Sequence, residues 1–126
     1  MEMATSYAKL RVAFGRTIGS FQAIKHKLAS MQCLLESSRG AAYYAALAVS
    51  DDLPDAEYAT CAAKSYVTDA YVSMAHDNIE THGGTGFTWE HDAHLYLRRA
   101  MTNQLLFGAP RDHRERVFAL ATDDHF

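Results

Sequence analysis

The chain has 126 residues, of which 48% are hydrophobic and 21% are charged, with two prolines and seven glycines; this composition is that of one ordinary globular domain and excludes disordered and collagen-like classes. A net charge of −3 excludes a domain that coats nucleic acid or an acidic membrane surface. Apolar stretches such as residues 41–49 are much shorter than the ~20 residues of a membrane span, so we expect a soluble, cytoplasmic protein with no membrane contact.

The first half of the chain predicts two helices joined by a linker. Residues 2–10 are typical of a short helix, and the absence of a capping residue before them indicates a fragment of a longer protein. Residues 11–20 contain two glycines and are expected to form a linker without strands. Residues 21–49 carry apolar side chains at three- and four-residue spacing, which predicts a long amphipathic helix that ends in the polar segment 50–55.

The second half predicts three more helices, over residues 56–81, 90–105 and 111–121, because glycine-rich segments at 82–86 and 107–110 interrupt the pattern. The expected apolar side of the first of these is a row of five residues: Tyr58, Ala62, Tyr66, Ala70 and Met74. Long helices joined by short loops predict an all-α fold, an antiparallel four-helix bundle with a short extra C-terminal helix.

The cysteines and histidines offer no catalytic or metal-binding pattern. Cys33 and Cys61 lie inside helical patterns, where buried, reduced thiols are the usual outcome. Glu90, His91 and His94 lie within about one helical turn, but successive helix positions diverge around the axis and the His-x-x-His pair lacks a defined third ligand. We therefore expect no metal site and no cysteine nucleophile.

Three segments resemble the C-terminal domain of acyl-CoA dehydrogenases, and the resemblance extends over the single domain expected for residues 1–126. The segments are RVAFGR at 11–16 followed by Phe21-Gln22, HGGTGF at 82–87, and Arg98-Arg99-Ala100 leading to LLFG at 105–108. The resemblance implies a helical bundle that is part of a larger FAD-dependent enzyme of lipid metabolism. It also implies a dimer or tetramer formed through helix faces, homomeric or heteromeric, that oxidises an acyl-CoA thioester and passes electrons to an electron-accepting flavoprotein.

The resemblance implies six cofactor-contacting positions: Arg11, Phe14, Gln22, Glu80, Gly83 and Gly84. Arg11 has the planar, permanently charged group that suits a pyrophosphate. In the family the glycine turn brings backbone next to the adenosine-pyrophosphate part of FAD from a neighbouring subunit, and a Gln commonly stands where this chain has Glu80. An ionised carboxylate cannot donate a hydrogen bond and repels a pyrophosphate.

The resemblance also locates the usual catalytic base, and this chain lacks it. Many family members have a Glu before the glycine that aligns with Gly108, and the chain has Phe107 at that position. A phenylalanine cannot accept the α-proton of a thioester. We therefore predict no catalytic residue in the chain, a base on an upstream helix or a partner chain, and no activity of the chain in isolation.

Two functions remain open from the sequence. The first is the C-terminal domain of an FAD-dependent acyl-CoA dehydrogenase. The alternative is a noncatalytic subunit or interaction domain that completes the FAD site of a partner chain in a hetero-oligomer. Residues 87–97 resemble the family members, including heteromeric ones, that act on bulky or steroid-derived CoA thioesters.

Overall fold

Residues 1–123, which the computed structural model describes, form five α-helices, one two-stranded hairpin and two 3-10 turns. The elements in chain order are α1 (Glu2–Leu10), β1 (Val12–Ala13), β2 (Arg16–Thr17), a 3-10 turn (Ile18–Ser20), α2 (Gln22–Ser50), α3 (Ala56–His82), a second 3-10 turn (Gly83–Phe87), α4 (Ala93–Leu105) and α5 (Pro110–Asp123). The predicted all-α bundle is confirmed, and each predicted helix begins and ends within three residues of an observed one.

The central element is α3, which contacts every other α-helix and the second 3-10 turn. Its buried residues lie around most of its circumference, and most of them are small: Ala59, Cys61, Ala63, Ser65, Thr68, Ala70, Ala75, Asn78, Ile79, Thr81 and His82. Small side chains let neighbouring helix backbones approach closely. The predicted apolar row is partly wrong, because Tyr58 and Tyr66 on it are each 42% exposed.

The longest packing interface joins α2 and α3 in antiparallel orientation. Near their connection, four alanines form a cluster, Ala45 and Ala48 from α2 with Ala59 and Ala63 from α3. Further along α2, Met31 is fully buried, as the predicted amphipathic pattern requires. The expectation for cysteine is correct for Cys61, which is buried, and wrong for Cys33, which is exposed on α2.

The predicted linker is a short hairpin. Val12 pairs with Thr17 and Ala13 with Arg16 in antiparallel register. The two residues between the strands both have positive φ, 53° at Phe14 and 78° at Gly15, which matches the type I′ turn favoured in two-residue hairpins. The expectation of no strands was wrong because each strand has only two residues, too few for an alternating pattern to show in the sequence.

A substitution in the second 3-10 turn tests how closely this turn packs on α3. A Cβ atom at Gly86 would lie 2.6 Å from the Ile79 carbonyl oxygen and 2.9 Å from the His82 Cβ, whereas a Cβ at Gly84 meets nothing within 4 Å. We expect Gly86→Ala to lower the free energy of unfolding by about 1–3 kcal/mol, because backbone must move. Gly84→Ala is the matched control, and chemical denaturation of both variants measures the difference. Equal stability of the two would contradict the close packing.

Candidate functional site

The two glycine-bearing segments expected to contact a cofactor, residues 11–22 and 80–86, lie at the same end of the bundle. Because α2 and α3 are antiparallel, the beginning of α2 lies beside the end of α3. Lys27 Nζ on α2 donates a hydrogen bond to Asp77 Oδ1 on α3 at 3.0 Å, and it also donates to the Glu80 carboxylate. The structure therefore places at one end of the bundle two segments that are 58 or more residues apart in sequence.

Arg11 lies on a backbone that is fixed on both sides. Its N–H donates to the Tyr7 carbonyl oxygen and its own carbonyl oxygen accepts from the Ile18 N–H, both at 2.8 Å. These bonds join the end of α1 to the first 3-10 turn, while the Arg11 side chain is exposed to solvent. The position is thus rigid in backbone and open to an anionic ligand.

Phe14 and Gln22 are also at this end and are exposed. Phe14 occupies the tip of the hairpin with 95% of its surface exposed, and its ring meets the Phe21 ring edge-on with centroids 6.2 Å apart. The Arg16 guanidinium lies 4.1 Å from the centroid of the Phe21 ring. Gln22 is the first residue of α2. The hairpin therefore presents aromatic and cationic groups next to the start of a long helix.

The glycine turn that follows α3 exposes its backbone. Gly83 has φ of 61°, which a residue with a side chain rarely adopts. A Cβ at Gly83 or Gly84 would meet nothing within 4 Å, so both positions face open space. Below them, the buried His82 ring contacts the rings of Tyr7 and His91, each with centroids 4.4 Å apart. The turn therefore packs on the bundle through His82 and leaves its backbone at Gly83 and Gly84 accessible to a ligand.

The charge of Glu80 is compensated by Lys27. The Lys27 side chain is 25% exposed and Asp77 is 24% exposed, whereas Glu80 is 61% exposed. The hydrogen bond from Lys27 lowers the pKa of Glu80 below its ordinary value, and the same bond raises the pKa of Lys27 against the opposing effect of burial. The repulsion that an isolated carboxylate would exert on a pyrophosphate is therefore reduced, although two carboxylates share one cation.

Phe107 lies away from the end of the bundle where the beginning of α2 meets the end of α3. Lys64, near the beginning of α3, donates to the carbonyl oxygen of Asn103 at 3.0 Å, so the end of α4 packs beside the first half of α3. Phe107 follows with φ of 60° and 91% of its surface exposed, and its carbonyl oxygen hydrogen-bonds His113 Nε2 at 2.8 Å. The loop holds its backbone in a fixed conformation but offers no carboxylate at position 107.

The two histidines near the start of α4 interact with backbone atoms. The His91 Nδ1 atom accepts a hydrogen bond from the Ala93 N–H at 3.1 Å, and His94 Nδ1 is 2.8 Å from the His91 carbonyl oxygen. The helix α4 begins at Ala93, the residue that donates this hydrogen bond, rather than at the predicted residue 90. Within residues 1–123, no group of three His, Cys, Asp or Glu side chains is arranged to hold a metal ion. Over the same residues, every helix is too short or too polar to cross a membrane.

Comparison with known proteins gives the family. The family model described as "Acyl-CoA dehydrogenase, C-terminal domain" matches residues 1–119. Acyl-CoA dehydrogenase FadE34 of Mycobacterium tuberculosis is 50% identical over 101 residues, which are 79% of this chain and 14% of that protein. Acyl-CoA dehydrogenase IpdE2 of the same organism is 38% identical over 119 residues, which are 93% of this chain and 35% of that protein.

Solved structures agree. Butyryl-CoA dehydrogenase from Megasphaera elsdenii superposes with a TM-score of 0.91 at 26% identity, over 96% of this chain and 31% of that one. A structure described as the Tcur3481-Tcur3483 steroid ACAD superposes with a TM-score of 0.90 at 27% identity, over 97% of this chain and 34% of that one. The FAD complex of PigA superposes with a TM-score of 0.90 at 26% identity, over 96% of this chain and 31% of that one. The chain belongs to the acyl-CoA dehydrogenase family and is its C-terminal helical domain. It spans about a seventh to about a third of the length of these curated relatives.

Sequence reasoning missed two residues at the candidate site. Arg16 was part of the motif at 11–16, but its contact with Phe21 depends on the hairpin, which was not predicted. Lys27 is 50 residues from Asp77 and 53 from Glu80, so no local spacing signals that they meet. An antiparallel alignment of the two long predicted helices is the one signal that could have placed Lys27 beside the end of α3.

The pH dependence of stability tests the role of Lys27. We expect Lys27→Met to be less stable than the wild type at pH 7, because two carboxylates lose their shared cation. The lowered pKa of Glu80 makes its contribution present above pH 4.5 and lost as the pH falls through the folded-state value. The raised pKa of Lys27 makes its contribution present below pH 10.5 and lost as the pH rises through the folded-state value.

The stability difference between wild type and Lys27→Met should therefore be largest between these pH values and shrink on both sides. Denaturation curves measured from pH 3 to pH 11 give this profile. Lys25→Met, which removes an exposed cation from the same helix, is the control and should show no such profile. A difference that is constant with pH would contradict the ion-pair account.

Proposed function

We propose that the chain contributes FAD contacts and subunit-interface surface to an FAD-dependent acyl-CoA dehydrogenase. The observation that carries this proposal is the position of residues 11–22 and 80–86 at the same end of the bundle, where Lys27 near the start of α2 holds Glu80 near the end of α3. Relatives and structural neighbours support it by their names, acyl-CoA dehydrogenase, butyryl-CoA dehydrogenase and an FAD complex. The activity is that of the longer protein to which such a domain belongs.

The residues at this end fit the anionic, dinucleotide part of FAD. Arg11 offers an exposed guanidinium, Gly83 and Gly84 leave room for a ligand to approach the backbone, and Phe14 offers an exposed ring. Lys27 limits the repulsion from Glu80 by holding its carboxylate. In this proposal these residues bind and orient, and the bound flavin supplies the acceptor for the hydride that leaves the β-carbon of the thioester.

Proton removal must come from outside this chain. The α-proton of an acyl-CoA thioester requires a positioned base, and Phe107 has no proton-accepting group. We infer that the base lies on an upstream helix of the parent protein or on a partner chain. The substrate is an acyl-CoA, with a bulky or steroid-derived acyl group as the finer expectation, supported by the likeness to the steroid ACAD structure. The electron acceptor is another flavoprotein, and the enzyme is a cytoplasmic dimer or tetramer.

A noncatalytic subunit is the second candidate function, and the loop that contains Phe107 favours it. An exposed aromatic ring in the place of a catalytic Glu is what a subunit without its own reaction would tolerate. Such a subunit would still complete the FAD site of a partner through Arg11 and the glycine turn. The two candidates share the cofactor-binding end and differ only in whether the parent protein has a base.

Phe107→Glu in the assembled protein separates the candidates. Since Phe107 is 91% exposed in this domain, the change should leave folding intact. If the base lies elsewhere, we expect measurable wild-type turnover that the new carboxylate lowers, because a charge in an apolar acyl pocket is unfavourable. Turnover is measured with an electron-accepting dye and a panel of CoA thioesters. Phe118→Glu, at another exposed aromatic, is the control for added charge.

A gain of activity in the Phe107→Glu variant would favour the second candidate function. An inactive parent that Phe107→Glu revives by about 10²-fold or more, the contribution of a positioned base, would overturn the dehydrogenase proposal in favour of the noncatalytic subunit.

A further inference from the structure

Three histidines lie near the glycine turn, and two of them donate hydrogen bonds to the backbone. His82 Nδ1 lies 2.7 Å from the Asn78 carbonyl oxygen, and His94 Nδ1 lies 2.8 Å from the His91 carbonyl oxygen. A carbonyl oxygen can only accept a hydrogen bond, so the Nδ1 atoms of His82 and His94 carry a proton. These two bonds are therefore kept whether the ring is neutral or positively charged.

The ring of His91, the third histidine, accepts a hydrogen bond instead. Its Nδ1 atom lies 3.1 Å from the Ala93 backbone nitrogen, and a backbone N–H can only donate. The Nδ1 atom of His91 is therefore unprotonated, and the neutral ring carries its proton on Nε2. A second proton would go to Nδ1 and break this bond. Of the three histidines, His91 is the one whose hydrogen bond depends on its charge.

Loss of this bond would leave a buried backbone N–H at the start of α4. Ala93 is the first residue of α4 and is completely buried. Its N–H is one of the four at a helix start that have no partner within the helix. An unpaired buried N–H is costly, because no water replaces the lost partner. A positive charge on His91 would also face the positive end of the α4 dipole. Protonation of His91 therefore opposes the folded start of α4.

Hydrogen bonds and a ring contact join His91 to the glycine turn. The Thr85 carbonyl oxygen accepts from the Thr88 N–H at 3.2 Å, and the Thr88 carbonyl oxygen accepts from the His91 N–H at 3.3 Å. The His91 ring also packs on the ring of His82, the residue before Gly83, with centroids 4.4 Å apart. A displacement of His91 would therefore disturb the turn through its backbone and through its ring.

No ion pair offsets a charge on these histidines. Within residues 1–122, none of the three forms a salt bridge with a carboxylate. The titratable side chains beside them, by ring contact or by sequence, are Tyr7, Glu80, Glu90 and Asp92. Tyr7 of α1 contacts the His82 ring, Glu80 of α3 is bonded to Lys27, and the two carboxylates that flank His91 are exposed. A positive charge on His91 therefore gains no paired carboxylate.

We propose that His91 is a positioning residue that holds the glycine turn and the start of α4 together only while its ring is neutral. Histidine is the side chain whose charge changes between about pH 5 and pH 8. Acidification in this range protonates His91, releases the Ala93 N–H and loosens residues 83–95. Under the proposed function, the same loosening weakens the contact of Gly83 and Gly84 with FAD, a consequence that rests on that function.

Amide hydrogen exchange of the assembled protein, after FAD removal, tests the proposal. Rates are expressed relative to those of an unfolded chain at the same pH. His91→Asn keeps an acceptor for the Ala93 N–H, since an Asn side chain accepts from the backbone two residues on, but it gains no proton. At about pH 7.5 the variant and the wild type should exchange alike over residues 83–95. At about pH 5.5 the wild type should exchange at least about fivefold faster, the factor expected when one buried N–H loses its partner.

His94→Asn is the matched control, because it removes a neighbouring histidine whose bond survives protonation. This control should respond to acid as the wild type does. An acid response that persists in His91→Asn, one that His94→Asn abolishes, or no acid response in the wild type would each overturn the proposal. If His91→Asn already exchanges faster at pH 7.5, its side chain has not replaced the bond, and the responses of the wild type and of His94→Asn decide. Because FAD is removed, failure of the proposed function leaves these outcomes unchanged.

Discussion

The architecture depends on α3, which packs against every other helix and meets α2 through small side chains. Ala59 and Ala63 meet Ala45 and Ala48 of α2 across a short gap. A larger side chain at any of these positions would push α2 away from α3 near their connection. At the opposite end of the same two helices, Lys27 of α2 reaches Asp77 and Glu80 of α3, where the candidate cofactor contacts lie.

The helices could be predicted because their signals are local. Three- and four-residue spacing identified α2, and glycine and proline marked the breaks before α4 and α5. The inward side of α3 could not be predicted, since a helix buried around most of its circumference has no single apolar stripe. Tyr58 and Tyr66, large and apolar in sequence, lie at its more exposed side.

Contacts between residues distant in sequence account for what the sequence analysis missed at the candidate site. The six expected cofactor positions were chosen from a family resemblance, and their roles stay predictions. What the sequence could not show is that Lys27 holds Glu80, because helix-to-helix register is set by tertiary packing. The hairpin at residues 12–17 was missed for a related reason: its stability comes from its turn and its neighbours, not from strand propensity.

Two ends of the bundle have different chemistry. The end at α2 and the glycine turn carries cations and open backbone, which suits binding of an anion. The loop at Phe107 has a fixed backbone and an exposed aromatic ring, which suits packing against another domain or chain. Under the proposed function, this division explains how a domain with no carboxylate at position 107 contributes to a flavin enzyme.

Amide hydrogen exchange of the assembled protein, with FAD bound and after FAD removal, tests the central claim most directly. The account predicts that bound FAD slows exchange at residues 11–22 and 83–87 and leaves the connection at residues 51–55, at the other end of α2, unchanged. Exchange that is the same in both states at residues 11–22 and 83–87 would contradict it.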